Sequence, residues 1–335
     1  MLRRFGLALL AIASLAGGAR AQSVEVPKPY AIPLPPMSEP RWELGARFWA
    51  SEGKTRFDFT SSKSNPALGN PTSVLSYDDM QAYSGEFTWY ARNETNTFAK
   101  GFVGGGGLSG GSLDDEDFFA GQVKFSDTYS KLDGDDLIYG TIDLGQRFVL
   151  LDGRTKLSVS PLIGFNFWQE TAVAYGARCN RDDVDGAFCG PPGTIEVPFS
   201  TKVIKNAVNW ASLRLGGELR VKLWDRLSLI GDAAVLPVAY VWTYDSHFLR
   251  QGRNDLGPVP NGEDRGNGWG YQLEAEARYD FTPSWSAGAG VRYWHAEAGR
   301  GNTEFVNFGL KVPLNDYSSD RFGVFGDVTY RFATF

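Results

Sequence analysis

Long stretches of the chain alternate strictly between apolar and polar side chains. In residues 212–224, "SLRLGGELRVKLW", leucines and a valine fall on one face, and the other face carries Arg214, Glu218, Arg220 and Lys222. Residues 271–281, "YQLEAEARYDF", follow the same pattern. A period of two predicts β-strands whose two faces meet different surroundings. Charges of both signs on the polar face, and aromatic residues crowded at strand ends, favour a membrane barrel over a soluble sandwich.

Short polar turns alternate along the chain with long polar segments. The turns lie at 92–96, 151–155, 223–227 and 281–285, and the long segments lie near 60–71, 111–135, 174–203, 245–267 and 299–319. Periplasmic turns and outer loops of membrane barrels alternate in this way. The segments between them predict ten strands, at 43–59, 72–91, 96–110, 136–150, 155–173, 204–224, 226–244, 268–281, 284–298 and 320–332. The predicted fold is therefore all-β, a transmembrane antiparallel β-barrel with both termini in the periplasm.

The N-terminal region predicts export. Residues 1–21 have a basic start, an apolar run and an Ala-x-Ala end, which together predict a signal peptide cleaved before Gln22. Residues 22–40 contain six prolines and predict an extended periplasmic tail. Residues 41–335 are predicted to form one outer-membrane barrel domain.

Charge and cysteine content narrow the range of partners. Without residues 1–21 the chain carries 30 basic and 39 acidic residues, a balance that predicts no nucleic-acid partner. Cys179 and Cys189 flank a polar loop, and an exported chain favours a disulfide between them, with two free thiols as the alternative. Because no histidine lies near this loop, neither a metal nor another cofactor is expected.

Two short stretches carry candidate chemistry. Residues 110–121, "GGSLDDEDFFAG", leave the outer end of the third predicted strand, and Asp115 and Asp117 share one face there. Residues 241–251, "VWTYDSHFLRQ", leave the outer end of the seventh, and Asp245 and His247 also share a face. Two close carboxylates titrate as a coupled pair, and a carboxylate beside an imidazole orients it as a base. A water held between the two pairs could be activated to attack a carbonyl.

These stretches resemble the omptins, outer-membrane endopeptidases with ten-stranded barrels. Residues 101–119 are similar to the family's glycine-rich strand leading into Asp-x-Asp, and 241–251 to its Asp-x-His segment. The resemblance implies a bacterial outer-membrane location, catalytic roles for Asp115, Asp117, Asp245 and His247, and cleavage near basic residues. It also implies basic peptides, outer-membrane lipid and lipopolysaccharide as partners.

The departures from the omptin pattern leave alternatives open. "WQETA" (168–172) has alanine where omptins carry an arginine that contacts lipopolysaccharide. Taken alone, the acid cluster predicts a hydrated loop tip or a weak calcium site, and "DSH" (245–247) predicts a turn with an interfacial histidine. The alternatives to a protease are a non-catalytic structural or adhesive barrel and, least favoured, a small porin. A porin is least favoured because mixed charges inside so narrow a barrel would pair and fill it.

Overall fold

The structure, a computed structural model, describes residues 42–182 and 189–332. The predicted signal peptide (1–21) and proline-rich tail (22–40) lie outside the described residues. Thirteen strands follow one another: β1 Trp42–Phe59, β2 Ser73–Arg92, β3 Thr97–Ser109, β4 Ser112–Phe119, β5 Val123–Leu132, β6 Asp136–Gln146, β7 Phe148–Asp152, β8 Lys156–Cys179, β9 Ile195–Trp224, β10 Leu227–His247, β11 Gly262–Asp280, β12 Trp285–Phe305 and β13 Leu310–Arg331. Single 3₁₀ turns cover Pro66–Leu68 and Val306–Phe308. In this described part, no helix is long and apolar enough to cross a membrane.

Ten of the strands close into a ring. The antiparallel pairings run from β1 through β2, β3, β6, β8, β9, β10, β11, β12 and β13 back to β1. Strand β7 follows β6 after Arg147 and pairs with the start of β8. A closed ring leaves no strand edge unpaired, which is the condition for strands to cross lipid. The predicted antiparallel β-barrel is confirmed.

The outer surface of this ring is apolar. Each of its ten strands exposes a large apolar side chain near its middle: Phe48, Phe87, Val103, Ile142, Ile163, Leu215, Val235, Leu273, Val291 and Val324. Exposed aromatic rings border the apolar band at the periplasmic end, where Trp42, Trp224 and Trp285 lie. At the outer end, Tyr240 and Trp242 stack on one another. An apolar band between aromatic borders is the surface that lipid requires.

The lumen is filled by paired charges and aromatic rings. The Arg292 guanidinium lies 2.5 Å from Glu86 and 2.8 Å from Glu274, and its side chain is fully buried. The same ionic network includes Glu43, Arg47, Lys100, Asp143, Arg214, Glu218, Asp232, Glu276, Arg278 and Asp327. Above it the rings of Trp49, Tyr139, Trp168 and Trp294 pack with centroids 5.1–5.6 Å apart.

A hairpin stands on the outer rim where a loop is predicted. Within 111–135 the chain forms β4 and β5, with β4 paired to β2 and β5 paired to β8. Above the membrane, β4 and β5 therefore take the places that β3 and β6 occupy between β2 and β8 in the lower ring. The prediction of a loop is wrong here because a strand in water can carry polar residues on both faces, so no alternation marks it.

Two other predicted outer loops are shorter than expected for the same reason. The end of β8 and the start of β9 occupy most of segment 174–203. The end of β12 and the start of β13 occupy most of segment 299–319. The periplasmic turns agree with the sequence: β2 and β3, β7 and β8, β9 and β10, and β11 and β12 are joined by short connections. The strands thus rise well beyond the lipid on the outer side.

Candidate functional site

Asp245 and His247 lie at the outer end of β10 and point into the barrel mouth. Their side chains meet directly, with His247 Nε2 3.0 Å from Asp245 Oδ2. Asn261 holds the backbone around the pair: its Oδ1 accepts the His247 amide at 2.9 Å, and its Nδ2 donates to the Gly257 carbonyl at 3.0 Å. This part of the barrel lies outside the lipid. On the adjacent strand β11, Glu263 and Arg265 form an ion pair of 2.8 Å, and the arginine side chain is 59% exposed.

Asp115 and Asp117 lie on β4, within the sheet. Asp115 pairs with Leu75 of β2 on one side and with Thr128 of β5 on the other. Asp117 is likewise placed between β2 and β5. Because β4 is hydrogen-bonded along both edges, these carboxylates are held by sheet geometry rather than by a free loop.

The structure brings the two predicted pairs together. Burial and the neighbouring Asp117 charge together raise the pKa of Asp115 to about 7, although the His247 charge acts in the opposite direction. Burial acts to lower the pKa of His247, but the carboxylates of Asp245 and Asp115 outweigh it, so the pKa lies above its ordinary value. All four predicted residues therefore form one electrostatic unit at the mouth.

A fifth ionisable residue, Asp264 on β11, belongs to the same site and was missed from the sequence. Its side chain is 1% exposed and accepts hydrogen bonds from the Thr243 hydroxyl at 2.9 Å and the Thr303 hydroxyl at 2.6 Å. Burial, together with the Asp245 charge, raises its pKa to about 6, although the hydrogen bonds from Thr303 and Thr243 act in the opposite direction. Asp264 falls in a predicted loop, and only the pairing of β10 with β11 places it beside Thr243.

Aromatic rings form the floor beneath the acids. Phe57 stacks on Tyr317 with centroids 5.0 Å apart and on Tyr77 at 6.5 Å. The Tyr317 hydroxyl donates to Asn206 Oδ1 at 3.2 Å. The floor separates the acidic mouth from the ionic network deeper in the lumen.

Asp114 and Glu116, the other acids of the cluster, contact a different set of residues. Asn180 donates to Asp114 at 3.3 Å and to Asp127 at 2.8 Å, and Lys124 bonds to Glu116. These contacts join the hairpin to the end of β8. They separate Asp114 and Glu116 from the carboxylates that interact with His247.

The end of β8 also carries a disulfide. Cys179 and Cys189 are bonded, with their Cα atoms 5.5 Å apart. Cys179 pairs with Thr128 of β5, which in turn pairs with Asp115 of β4. The bridge is therefore connected to the candidate site through two backbone ladders.

The chemistry that these side chains offer is that of acid and base. Within residues 42–182 and 189–332, no group of three or more His, Cys, Asp or Glu side chains is arranged to hold a metal ion. A carboxylate with a pKa near neutrality can give or take a proton at neutral pH, and so can an imidazole paired with a carboxylate. The site can therefore position a water and move protons around it.

The closed strand ring, apolar exterior and charged lumen define the class of an outer-membrane β-barrel protein. The sequence profile of the Protochlamydia outer membrane protein family matches residues 56–332, and the chain belongs to this family. No curated protein sequence matches the chain. The protein is located in the bacterial outer membrane, as its family description and its fold both indicate.

Solved structures show the same fold. The crystal structure of the outer membrane protease OmpT from Escherichia coli is similar with a TM-score of 0.62 and 12% identity, covering 87% of this chain and 97% of that one. The P. putida toluene transporter TodX gives a TM-score of 0.26 at 9% identity, covering 89% and 92%, a score too low to carry an argument. The likeness to OmpT is one of fold, and the sequence match is to the Protochlamydia family rather than to the omptins.

Proposed function

We propose that this barrel is a surface endopeptidase that hydrolyses peptide bonds near basic residues. The observation that carries the proposal is the hydrogen-bonded Asp245–His247 pair of β10, whose charges act on the Asp115 carboxyl that stands beside Asp117 on β4. A water between the two pairs would have a base on one side and a carboxyl that titrates near neutrality on the other.

His247 acts as the general base in this proposal. With Nε2–H donated to Asp245, Nδ1 is the nitrogen that accepts a proton from the attacking water. The water oxygen adds to the peptide carbonyl carbon while Asp115, in its protonated form, donates a hydrogen bond to the carbonyl oxygen. The C–N bond then breaks, and the proton on His247 passes to the leaving amine.

The charge of the mouth favours a basic substrate. Even with Asp115 protonated, Asp117, Asp245 and Asp264 stand against one imidazole, and Arg250 in the adjoining connection is paired with Asp255 at 2.9 Å. Excess negative charge in a cleft raises the local concentration of cations and speeds their association. A peptide carrying lysine or arginine fits that field.

The lumen does not favour the porin alternative. Packed aromatic rings and buried ion pairs project into the lumen, whereas a porin needs a continuous aqueous path. Conducting events in planar bilayers would argue for the porin instead. A non-catalytic barrel is the outcome to accept if the peptide assay below is negative.

A peptide assay tests the proposal. The barrel is refolded with lipopolysaccharide and offered a fluorogenic dibasic peptide, alongside His247→Ala and Asp115→Asn. Since loss of acid–base catalysis costs about 10²–10⁴ in rate, both variants should lose cleavage by that order.

The chain provides a matched control in His295→Ala, because the sequence has two histidines and His295 bonds to Asp320, on β13, at 2.8 Å. This variant should cleave like the wild type. No cleavage by the wild type, or equal rates in all variants, would reject the protease.

A further inference from the structure

Two buried hydrogen-bond donors lie close to the Asp245–His247 pair. Asn206 of β9 is directly opposite Asp245 in the strand register and is 3% exposed. Its Oδ1 accepts the Tyr317 hydroxyl, which directs the amide nitrogen elsewhere. That nitrogen, Nδ2, is buried and has no hydrogen-bond partner among the described residues.

The second donor is the hydroxyl of Tyr77 on β2. The side chain is 1% exposed, and within the described part of the chain its hydroxyl also lacks a partner. Burial raises the pKa of Tyr77 well above its ordinary value, and the Asp245, Asp115 and Asp264 charges add to the rise. The hydroxyl therefore keeps its proton and lies within the electrostatic field of these carboxylates.

Asp245 has the capacity to accept from both donors. Its Oδ2 meets His247 Nε2, and its Oδ1 accepts the Ser246 amide at 3.2 Å. A carboxylate has about four acceptor sites, so two remain. Buried polar groups in native proteins almost always have partners, and an isolated one calls for a functional explanation.

We propose that Tyr77 and Asn206 are positioning residues that bind the Asp245 carboxylate through a bridging water. A buried water needs two to four polar partners, and these three groups supply them. The inference rests on the proposed function, because it assigns the two residues to the acid–base pair of that site.

The role of these donors follows from the surrounding charges. The titratable and charged groups that interact with Asp245 or His247 are Asp115 on β4, Asp264 on β11, Tyr77 on β2, Tyr317 on β13, and Arg250 in the adjoining connection, and Asp117 acts on Asp115. The carboxylates favour protonated His247, yet a general base must be unprotonated near neutral pH. Donors directed at Asp245 offset the negative field and keep His247 available as a base.

The test follows the titration of His247 itself. Histidine-labelled barrel in detergent micelles gives one NMR signal for His247 and one for His295, which serves as an internal reference. In Tyr77→Phe and in Asn206→Leu we expect the His247 midpoint to rise by about 0.5–1 pH unit, because a donor is lost and the local potential becomes more negative. The His295 midpoint should stay fixed.

A matched control removes a different buried hydroxyl. Tyr139 bonds to Ser84 at 2.7 Å and to Glu86 at 2.8 Å in the lumen, so Tyr139→Phe should lower stability and leave the His247 midpoint unchanged. In the peptide assay, Tyr77→Phe should lower kcat with KM retained, and the acidic limb of its pH profile should move to higher pH.

The outcomes separate the inference from the proposed function. A shifted His247 midpoint without any peptide cleavage would retain the positioning role and reject the protease. An unchanged midpoint in both variants would overturn the positioning role, whatever the peptide assay gives. Two independent substitutions keep the test valid if one variant does not refold.

Discussion

At the scale of residues, Asp115 makes the stability of the folded chain depend on pH. Its pKa in the folded chain, about 7, lies above the ordinary value of 3.8, so folding favours its protonated form. The stabilisation from this proton is complete below about pH 4 and is lost as the pH rises through about 7. His247, whose pKa is also raised, changes stability in the same direction.

We therefore expect the β4–β5 hairpin to be more stable at pH 5 than at pH 8. The protection factors of the β4 amides measure this, because they divide the observed hydrogen exchange by the intrinsic rate at each pH. Asp115→Asn should remove much of the pH dependence. Asp117→Asn should shift the pH-dependent loss of stability to lower pH, because the Asp117 charge contributes to the raised pKa of Asp115. Protection factors in wild-type β4 that are equal at the two pH values, or lower at pH 5 than at pH 8, would contradict the assignment.

Asp264 should govern attraction of cations more than the chemical step. Asp264→Asn removes one negative charge beside Asp245 while Thr243 and Thr303 remain to hold the side chain. We expect KM for a dibasic peptide to rise about two- to tenfold at low salt, with a smaller effect at high salt. Asp152→Asn, the same charge change at the periplasmic end, is the control and should leave KM unchanged.

The residues that sequence predicted and those it missed differ in one physical respect. Asp115, Asp117, Asp245 and His247 stand in pairs two apart along a strand, so local spacing alone places each pair on one face. Asp264, Asn206 and Tyr77 reach the site only through the pairing of separate strands. Cross-strand register depends on the closed ring, and no local pattern encodes it.

At the scale of elements, the hairpin depends on its connection to β8. Cys179 pairs with Thr128, and Asn180 bonds to both Asp114 and Asp127. Closing so short a loop by a disulfide stabilises it by about 3 kcal/mol in the chain-entropy account. The bridge thus acts on the hairpin more than on the barrel wall.

Removal of the bridge should loosen the site and spare the barrel. We expect Cys179→Ser combined with Cys189→Ser to speed amide exchange in β4 and β5 and to lower peptide cleavage. Heat-modifiable migration on gels, which reports the barrel, should not change. Chemically reduced wild type should match the double variant, and an unaffected β4 would show that the hairpin stands without the bridge.

Strand prediction succeeded where the lipid imposes alternation and failed above it. The ten ring strands follow the period-two pattern because one face meets lipid and the other a charged lumen. Strands β4 and β5 and the upper ends of β8, β9, β12 and β13 meet water or site residues, so their sequences lack that constraint. The acid cluster consequently looked like a loop tip although it is a paired strand.

At the scale of the whole molecule, the buried ionic network is a source of cooperativity. Arg292 is fully buried between Glu86 and Glu274 and lies over the rings of Trp49 and Phe102. Removing one partner of a buried pair leaves uncompensated charge, which costs about 3–5 kcal/mol. Arg292→Met should lower the free energy of unfolding by that amount, measured by tryptophan fluorescence in urea. Lys156→Ala, which breaks an exposed pair with Asp152, should cost about 0–1 kcal/mol.

The hairpin has a consequence for how such a protein can diversify. Strands β3 and β6 remain paired up to Gly107 and Asp136, immediately below the insertion, so the lower ring is complete without it. Replacing 110–135 with a two-residue turn should therefore give a folded barrel that has lost Asp115 and Asp117. Heat-modifiable migration on gels would show that this variant folds, and the peptide assay would show that it no longer cleaves. The membrane-spanning wall and the reactive rim are then separable units, and exchange of this single insertion offers a route to new activities on an unchanged scaffold.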